Sequence, residues 1–252
     1  MTTPALGLQL YTVRTSERPL DALLAAVAAA GYDGVETVGT QQVAPERLRD
    51  ALAEAGLRLA SAHVPLTAFR TDLPAVLAAQ RKLGTPLLVV PWLAPEDRPD
   101  DLAGWRVLGR ELDGYGRALA DEGFVLAYHH HDFELAAMEG SDGLTALLEA
   151  AAPEHVSLEL DTGWWAAVGR DPVAGVHGWG RRVKRLHLKD LISGQTPPWV
   201  DVGDGEVDVA GVLAAAKDHG VPWVIVEHDA PSDPIQTIER SATKVLGVLG
   251  RG

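Results

Sequence analysis

Two patterns of apolar and polar positions alternate along the chain. The first is a short, mostly apolar run, seen in LGLQLY, GVETV, RLASAHV, PLLVVPW, FVLAYHHH, VSLELD, VKRLHLKD and WVIVEHD. The second is a longer stretch in which Ala and Leu recur at helical spacing, as in Pro19–Gly31, Pro45–Leu57 and Leu144–Pro153. Several of these stretches open with Pro or Asp and close with Gly, the punctuation expected of helices. Strand followed by helix, repeated, predicts βαβ units and a parallel sheet. Eight such units with no large insertion predict an α/β fold, a closed (β/α)8 TIM barrel spanning residues 1–252 as a single domain. A doubly wound open sheet is the alternative. It has little support, because no GxGxxG follows the first strand. The longest connections, around Ala94–Trp105 and Leu191–Val207, are rich in Pro, Gly and Asp and follow strands, where the active-site loops of a barrel belong.

Side chains of a barrel strand alternate inward and outward with period two, and the chemistry collects at the C-terminal strand ends. The polar residues of this chain fall there. Strand 1 ends with Gln9 and Tyr11, strand 2 carries Glu36, strand 3 ends at His63 and strand 4 at Trp92. Strand 5 supplies His129, His130 and His131, strand 6 Glu159 and Asp161, strand 7 His187 and Lys189, strand 8 Glu227 and Asp229. Six of the nine histidines sit at such ends, where random placement would scatter them over the helices as well. Taking one inward residue from each of strands 5 to 8 gives His129, Asp161, His187 and Glu227. Two imidazoles and two carboxylates suit a divalent transition metal, manganese, zinc, cobalt or iron. Magnesium suits the set less well, since it prefers oxygen surroundings. Such an ion polarises a carbonyl or stabilises an enediolate, and Glu227 or another carboxylate would then move the proton.

Plainer roles exist for several of these residues. His63 alone reads as a hydrogen-bonded strand-end residue more readily than as a substrate contact. Parity turns His130 away from the barrel, to pack between strand and helix. Glu159 reads as a structural carboxylate paired inside the barrel, because an unpaired buried charge costs several kcal/mol. Trp92, Trp164 and Trp165 either cap the barrel mouth or form an apolar wall for a sugar ring.

Composition narrows the function further. The chain has no cysteine, which removes disulfides, thiolate metal sites and cysteine nucleophiles. Its formal charge of −13 disfavours nucleic acid as a partner. The N-terminus does not read as a signal peptide, and no apolar segment is long enough to span a membrane. These features predict a cytoplasmic protein with no membrane partner.

With these residues placed, the sequence resembles the sugar phosphate isomerase/epimerase group of xylose isomerase-like TIM barrels. The resemblance covers nearly the whole chain, through GLQLYTVR, GYDGVET, SAHVPL, YHHHDFEL, LELDTGWW, LHLKD, GDGEVD and VIVEHD. It implies a small-molecule carbohydrate substrate, proton transfer next to a carbonyl, and a divalent metal held by His129, Asp161, His187 and Glu227. Two departures stand out. Many such epimerases carry a glutamate where this chain has His129, so the second proton-transfer group must come from Lys189, Glu36, His131 or Glu134, or be absent. Many also carry a histidine where this chain has Trp164. In the catalytic role the reading places Glu227, Lys189 and His131. In substrate contact it places Gln9, Tyr11, Glu36, His63, Trp92, Glu134, Trp164 and Glu206. Glu206 belongs to the loop Gly203–Asp208, which equally reads as a tight turn with Asp208 capping the next helix. Such barrels often self-associate, and a homo-oligomer is compatible with the tryptophans at the loop ends.

The leading expectation is a metal-dependent isomerase or epimerase of a sugar or polyol. A lyase or dehydratase acting on a 3-keto sugar or keto-inositol needs only one base, so it tolerates the loss of the strand-5 glutamate better. A sugar-binding barrel without catalysis is the third expectation. A nuclease, the activity of a related barrel group, is disfavoured by the acidic charge.

Overall fold

In the computed structural model, which describes residues 3–251, eight parallel strands close into a barrel. They are β1 (Ala5–Gln9), β2 (Gly34–Val38), β3 (Arg58–His63), β4 (Leu87–Val90), β5 (Val125–His129), β6 (Val156–Asp161), β7 (Val183–Leu188) and β8 (Trp223–Val226). Strand β1 pairs with both β2 and β8, which closes the ring in sequence order. The eight predicted runs are the eight strands, and GVETV and VSLELD match to the residue. The strand-5 run is shorter than its apolar pattern suggests. It ends at His129, so His130 and His131 leave the sheet.

Around the barrel lie α1 (Leu20–Ala29), α2 (Pro45–Glu54), α3 (Leu66–Leu83), α4 (Leu102–Asp121), α5 (Gly143–Glu149), α6 (Thr162–Ala167), α7 (Pro172–Trp179), α8 (Val209–His219) and α9 (Pro234–Val248). The starts of α4 to α9 follow ordinary capping chemistry, in which an aspartate side chain accepts an otherwise unpartnered first-turn N–H. Asp101 accepts from the Gly104 N–H at 2.6 Å, Asp142 from Thr145 at 2.7 Å and Asp233 from Ile235 and Gln236 at 3.1 Å. Outward strand residues such as Leu8, Val35, Leu88, Leu126, Leu158 and Leu186 are fully or almost fully buried beneath these helices and form the main core.

The inward positions form a second, smaller core that becomes polar toward the mouth. Its floor is Ala60, Trp223 and Ile225, with Ala5 packed against them. Trp223 fits because β2 begins with Gly34. A Cβ there would press on the Arg58 carbonyl and come within 2.7 Å of the indole. Above this floor the inward positions are Gln9, Glu36, Ser61, His63, His129 and Glu159, all with 6% exposure or less. The fold thus places an unusual number of polar side chains in a dry interior, and each needs a partner.

Four of the strand-to-helix connections at the mouth carry structure of their own, the one after β1 a 3-10 turn at Leu10–Val13. A short hairpin, Ala137–Met138 against Ser141–Asp142, follows β5. A second, Asp190–Leu191 against Trp199–Val200, follows β7. The connection after β4 contains a single 3-10 turn at Pro95–Asp97. Among the described residues no helix is long and apolar enough to cross a membrane.

Candidate active site

Four ligand atoms gather at the C-terminal ends of β5 to β8. One atom each from His129, Asp161, His187 and Glu227 lies within 4.8 Å of the other three, and all four residues are buried. The parity argument selects this same set. Each strand contributes its last inward residue, and Glu227 stands one position beyond β8.

Asp161 serves two purposes. Its Oδ1 caps α6 by accepting the Trp164 N–H at 2.8 Å, which fixes the carboxylate and aims Oδ2 inward. Oδ2 is buried, lies 3.3 Å from Lys189 Nζ and has no hydrogen-bond partner among the described residues. His129 Nδ1 is likewise buried and makes no hydrogen bond among the described residues, with Glu159 Oε1 3.2 Å away. Orphaned buried polar atoms are rare in folded proteins, and a missing ion is one accepted reason for them. The donor set of two imidazoles and two carboxylates therefore fits a divalent transition metal by chemistry and by its unsatisfied atoms.

A second tier lies directly beneath. Glu36 Oε1 is 2.6 Å from His187 Nε2, 2.8 Å from His63 Nε2 and 2.7 Å from Gln9 Nε2. Its other oxygen accepts from the Ser61 hydroxyl. Glu159 Oε1 is 3.0 Å from both His63 Nε2 and His187 Nε2 and 3.2 Å from His129 Nδ1. Glu159 is therefore the internally paired carboxylate that the strand pattern suggests. Burial opposes charge on Glu36, yet His63 and His187 hold its carboxyl well below the usual range. Burial likewise opposes charge on His63, but Glu36 and Glu159 lift its pKa to about 9.

The three tandem histidines separate. His129 belongs to the buried quartet. His130 turns outward, where its ring meets Trp165 edge-on and its Nε2 accepts the Asp161 N–H at 3.0 Å. This link from β5 to β6 is a positioning contact beyond the packing role parity suggests. Burial pushes the His130 pKa down to about 4, so it is a neutral acceptor near pH 7. His131 lies past the strand end and lines a cavity of about 850 Å3 at the barrel mouth. Its Nδ1 has no partner among the described residues. Burial and the Lys189 charge hold its pKa well below the ordinary 6.5.

Lys189 Nζ and the His131 ring each lie 5.2 Å from the Trp164 ring. Only 1% of it is exposed. Its Nζ lies 2.9 Å from Glu227 Oε2, 3.0 Å from both Asp229 oxygens and 3.3 Å from Asp161 Oδ2. Burial works against the charge, but Asp161, Glu227 and Asp229 outweigh it and raise the pKa well above that of a free lysine. Lys189 is therefore a fixed ammonium.

The cavity is lined by Tyr11, His63, Trp92, His129, His131, Trp164, Glu227 and Asp229 among the residues the sequence points to, and Lys189 lies behind this lining. Of the residues expected to contact substrate, four are placed elsewhere. Gln9 and Glu36 are 0% exposed and sit in the tier below the cavity. Glu134 is buried with both oxygens engaged, Oε1 by the Tyr128 hydroxyl at 2.7 Å and Oε2 by the His131 N–H at 2.8 Å. It holds the loop that carries His131. Glu206 is exposed and binds Ser193, while Asp208 caps α8 through the Gly211 N–H at 2.9 Å. The GDGEVD loop is thus a tight turn before a helix. Trp164 faces the mouth, whereas its neighbour Trp165 is buried beside His130.

The strand-end pattern overlooks three residues. Asp190 is fully buried and accepts four backbone N–H groups, from Leu191, Gly203, Gly205 and Val207, at 2.9 to 3.0 Å. It shapes the loop after β7. Arg98 stacks on Phe133 at 3.7 Å and near Trp92 at 5.2 Å on the cavity wall. Trp199 packs edge-on against Trp164, 5.0 Å from Lys189 Nζ. All three lie in connections, where apolar periodicity gives no signal. The side of Lys189 in LHLKD was the available hint for Asp190.

Glu134 provides a test of this description. Burial raises its pKa from 4.5 to about 7. An acid whose pKa is higher folded than unfolded contributes stability below the unfolded value, and that stability is lost as pH rises through the folded value. The decline between pH 4.5 and 7 amounts to roughly 3 kcal/mol at 1.36 kcal/mol per pKa unit. Glu134→Gln keeps the shape and can satisfy both neighbours if the Tyr128 hydroxyl rotates. Urea unfolding at pH 5 and pH 8 is expected to show the variant gaining on the wild type by about that amount at the higher pH. An unchanged difference would refute the buried, raised carboxyl.

Sequence comparison agrees with this architecture. The profile of the xylose isomerase-like TIM barrel family matches residues 24–246. The chain belongs to that family. Inosose dehydratase of Lacticaseibacillus casei is 26% identical over 245 residues, covering 81% of this chain and 80% of that protein. Inosose dehydratase of Clostridium beijerinckii is 26% identical over 147 residues, a match to 52% of this chain and about half, 48%, of that protein. A solved sugar phosphate isomerase/epimerase from Parabacteroides distasonis superposes with a TM-score of 0.82 at 22% identity, covering 96% of this chain and 93% of its own. At that identity the superposition speaks for the barrel alone. Within the family frame, the buried His/Asp/Glu quartet at the strand ends could hold the metal ion on which such barrels often depend.

Proposed function

We propose that this barrel is a metal-dependent lyase that removes water from a keto-sugar or keto-polyol. The observation that carries the reading is Lys189, an ammonium locked among Glu227, Asp229 and Asp161, which shares its Trp164 neighbour with the cavity-lining His131. Environments that push two titratable groups apart mark an acid and a base. His131, the imidazole that lines the cavity, takes the proton from the carbon next to the substrate carbonyl. The electron pair moves onto the carbonyl oxygen. It returns to expel the hydroxyl on the neighbouring carbon, which leaves as water with a proton from Lys189 Nζ. A divalent ion on His129, Asp161, His187 and Glu227 would polarise the carbonyl and stabilise the charge that builds on its oxygen. Trp164, Trp92 and Tyr11 supply faces for a sugar ring and exclude water from it.

The pair is directional, which favours elimination over epimerisation. An epimerase needs two groups that each give and take a proton. Three carboxylates hold the proton on Lys189, so it is a poor base. The dehydratase names carried by two relatives point the same way. A second reading, sugar isomerase or epimerase, draws support from Glu227, whose carboxylate lines the cavity from the β8 side while His131 lines it from the β5 side. In that case Glu227 would be the second proton carrier. A non-catalytic sugar-binding barrel is the remaining outcome.

The deciding assay supplies manganese, zinc, cobalt or iron together with a keto-inositol and a set of 3-keto hexoses in deuterated water. A product lighter by one water, with the near-ultraviolet absorbance of a conjugated ketone, is the expected result. Deuterium entering recovered substrate without loss of water would overturn it in favour of the isomerase reading. Binding with neither change would indicate the non-catalytic barrel.

A further inference from the structure

The tier beneath the quartet has a geometry that assigns it a task. The two ring nitrogens of His187 face different tiers. Its Nδ1 lies 3.1 Å from Glu227 Oε2 and 3.8 Å from Asp161 Oδ2, in the upper set. Its Nε2 lies 2.6 Å from Glu36 Oε1 and 3.0 Å from Glu159 Oε1, in the lower set. Imidazole binds a metal only through a nitrogen that carries no proton, and the hydrogen bond at the other nitrogen decides which one that is.

We propose that Glu36, with Glu159 beside it, is a positioning residue that keeps the proton of His187 on Nε2 and presents Nδ1 to the metal. The inference rests on the reading that the upper quartet holds that metal. Glu36 is built for the task. It is fully buried and held in place by Gln9 Nε2 at 2.7 Å and by the Ser61 hydroxyl. Ser61 is in turn held by Arg185 Nε at 3.2 Å. Glu36 therefore cannot swing up to the cavity, and its oxygen stays beneath His187. An acceptor fixed in this way orients the imidazole as well as its tautomer. Replacing such outer partners typically weakens metal binding by about 10- to 100-fold.

Two measurements test the proposal. In the wild-type protein, long-range 1H–15N spectra of the histidine rings, with His187 assigned by its loss in His187→Gln, report which nitrogen holds the proton. The expected result is a protonated Nε2 without metal and after zinc is added, with zinc on Nδ1. A His187 protonated on Nδ1 alone, or zinc on Nε2, overturns the proposal. If zinc does not bind the wild type, the metal reading fails, while the spectrum without metal still reads Nε2 on its own. The second measurement is zinc and manganese affinity by chelator competition. Glu36→Ala is expected to weaken binding by at least 10-fold, and Glu36→Gln, which retains an acceptor oxygen, by less. Glu159→Gln provides the comparison for the longer contact. Equal affinity in wild type and a folded Glu36→Ala overturns the proposal. Should that variant not fold, the wild-type spectra decide.

Discussion

Protein purified without chelator is expected to carry close to one manganese, zinc, cobalt or iron ion per chain, and the His187→Ala, Glu227→Ala double variant none. The expectation follows from how the quartet is held. His129, Asp161, His187 and Glu227 are each at most 5% exposed, and Asp161 is fixed by capping α6 while His187 is fixed by Glu36. A preorganised, dry site loses little freedom when an ion enters. If a four-ligand site contributes on the order of 12 kcal/mol, each ligand carries roughly 3 kcal/mol. Removing two would then cost about 6 kcal/mol, or some four orders of magnitude in affinity. Elemental analysis reads this directly, and circular dichroism shows whether the variant remains folded. Metal absent from the wild type, even after soaking with these ions, would sink the enolate chemistry and leave the sugar-binding reading. Magnesium bound in preference to the others would contradict the two-imidazole donor set.

That His129, Asp161, His187 and Glu227 come together was legible in the sequence because strand geometry is strict. A barrel strand alternates with period two, so the last inward residue of each of four runs is determined once the runs are found. VSLELD and VKRLHLKD reveal Asp161 and His187 in this way. The rule gives direction and does not give depth. Gln9 and Glu36 point inward as read, yet they lie one tier too low to reach the cavity, because each sits two residues before the position that lines it, Tyr11 and Val38, and their polar groups are paired to each other. Depth depends on the register between neighbouring strands. That register is shifted by one residue between β2 and β3 and again between β6 and β7, which no single-strand pattern reveals.

Beyond the strand ends the pattern is silent. His131 would share the His129 face if β5 continued, but the strand stops at His129. His131 reaches the cavity because Glu134 holds its N–H, a contact made by the loop. Glu134 therefore supports a cavity-lining residue and does not itself line the cavity. Arg98 and Trp199 reach the site from loops of no fixed period, and their places depend on aromatic stacking across segments far apart in the chain. The division is physical. Repetitive backbone geometry transmits side-chain direction from sequence, while loop geometry depends on tertiary partners such as the four N–H groups gathered by Asp190.

Lys189→Met is expected to stop dehydration while leaving proton exchange next to the carbonyl in place. Methionine fills most of the buried lysine volume and removes the charge. The variant keeps His131, so the step that takes the carbon-bound proton remains, and deuterium from solvent should still enter the substrate. What disappears is the donor for the departing hydroxyl, and general-acid loss typically costs a factor of about 10^2 to 10^4. His131→Asn is expected to lose both exchange and dehydration, because the base acts first. The two variants together assign the order of the steps. Metal content is the control. Lys189 Nζ lies 2.9 Å from Glu227 and 3.3 Å from Asp161, so removing it frees these carboxylates from a competing cation, and Lys189→Met should bind the ion at least as tightly as the wild type. Should Lys189→Met retain dehydration within a few-fold of the wild type, the ammonium would not be the acid. Should it abolish exchange and dehydration together with metal intact, Lys189 would be acting at the carbonyl, and the assignment of base and acid would have to be redrawn around Glu227.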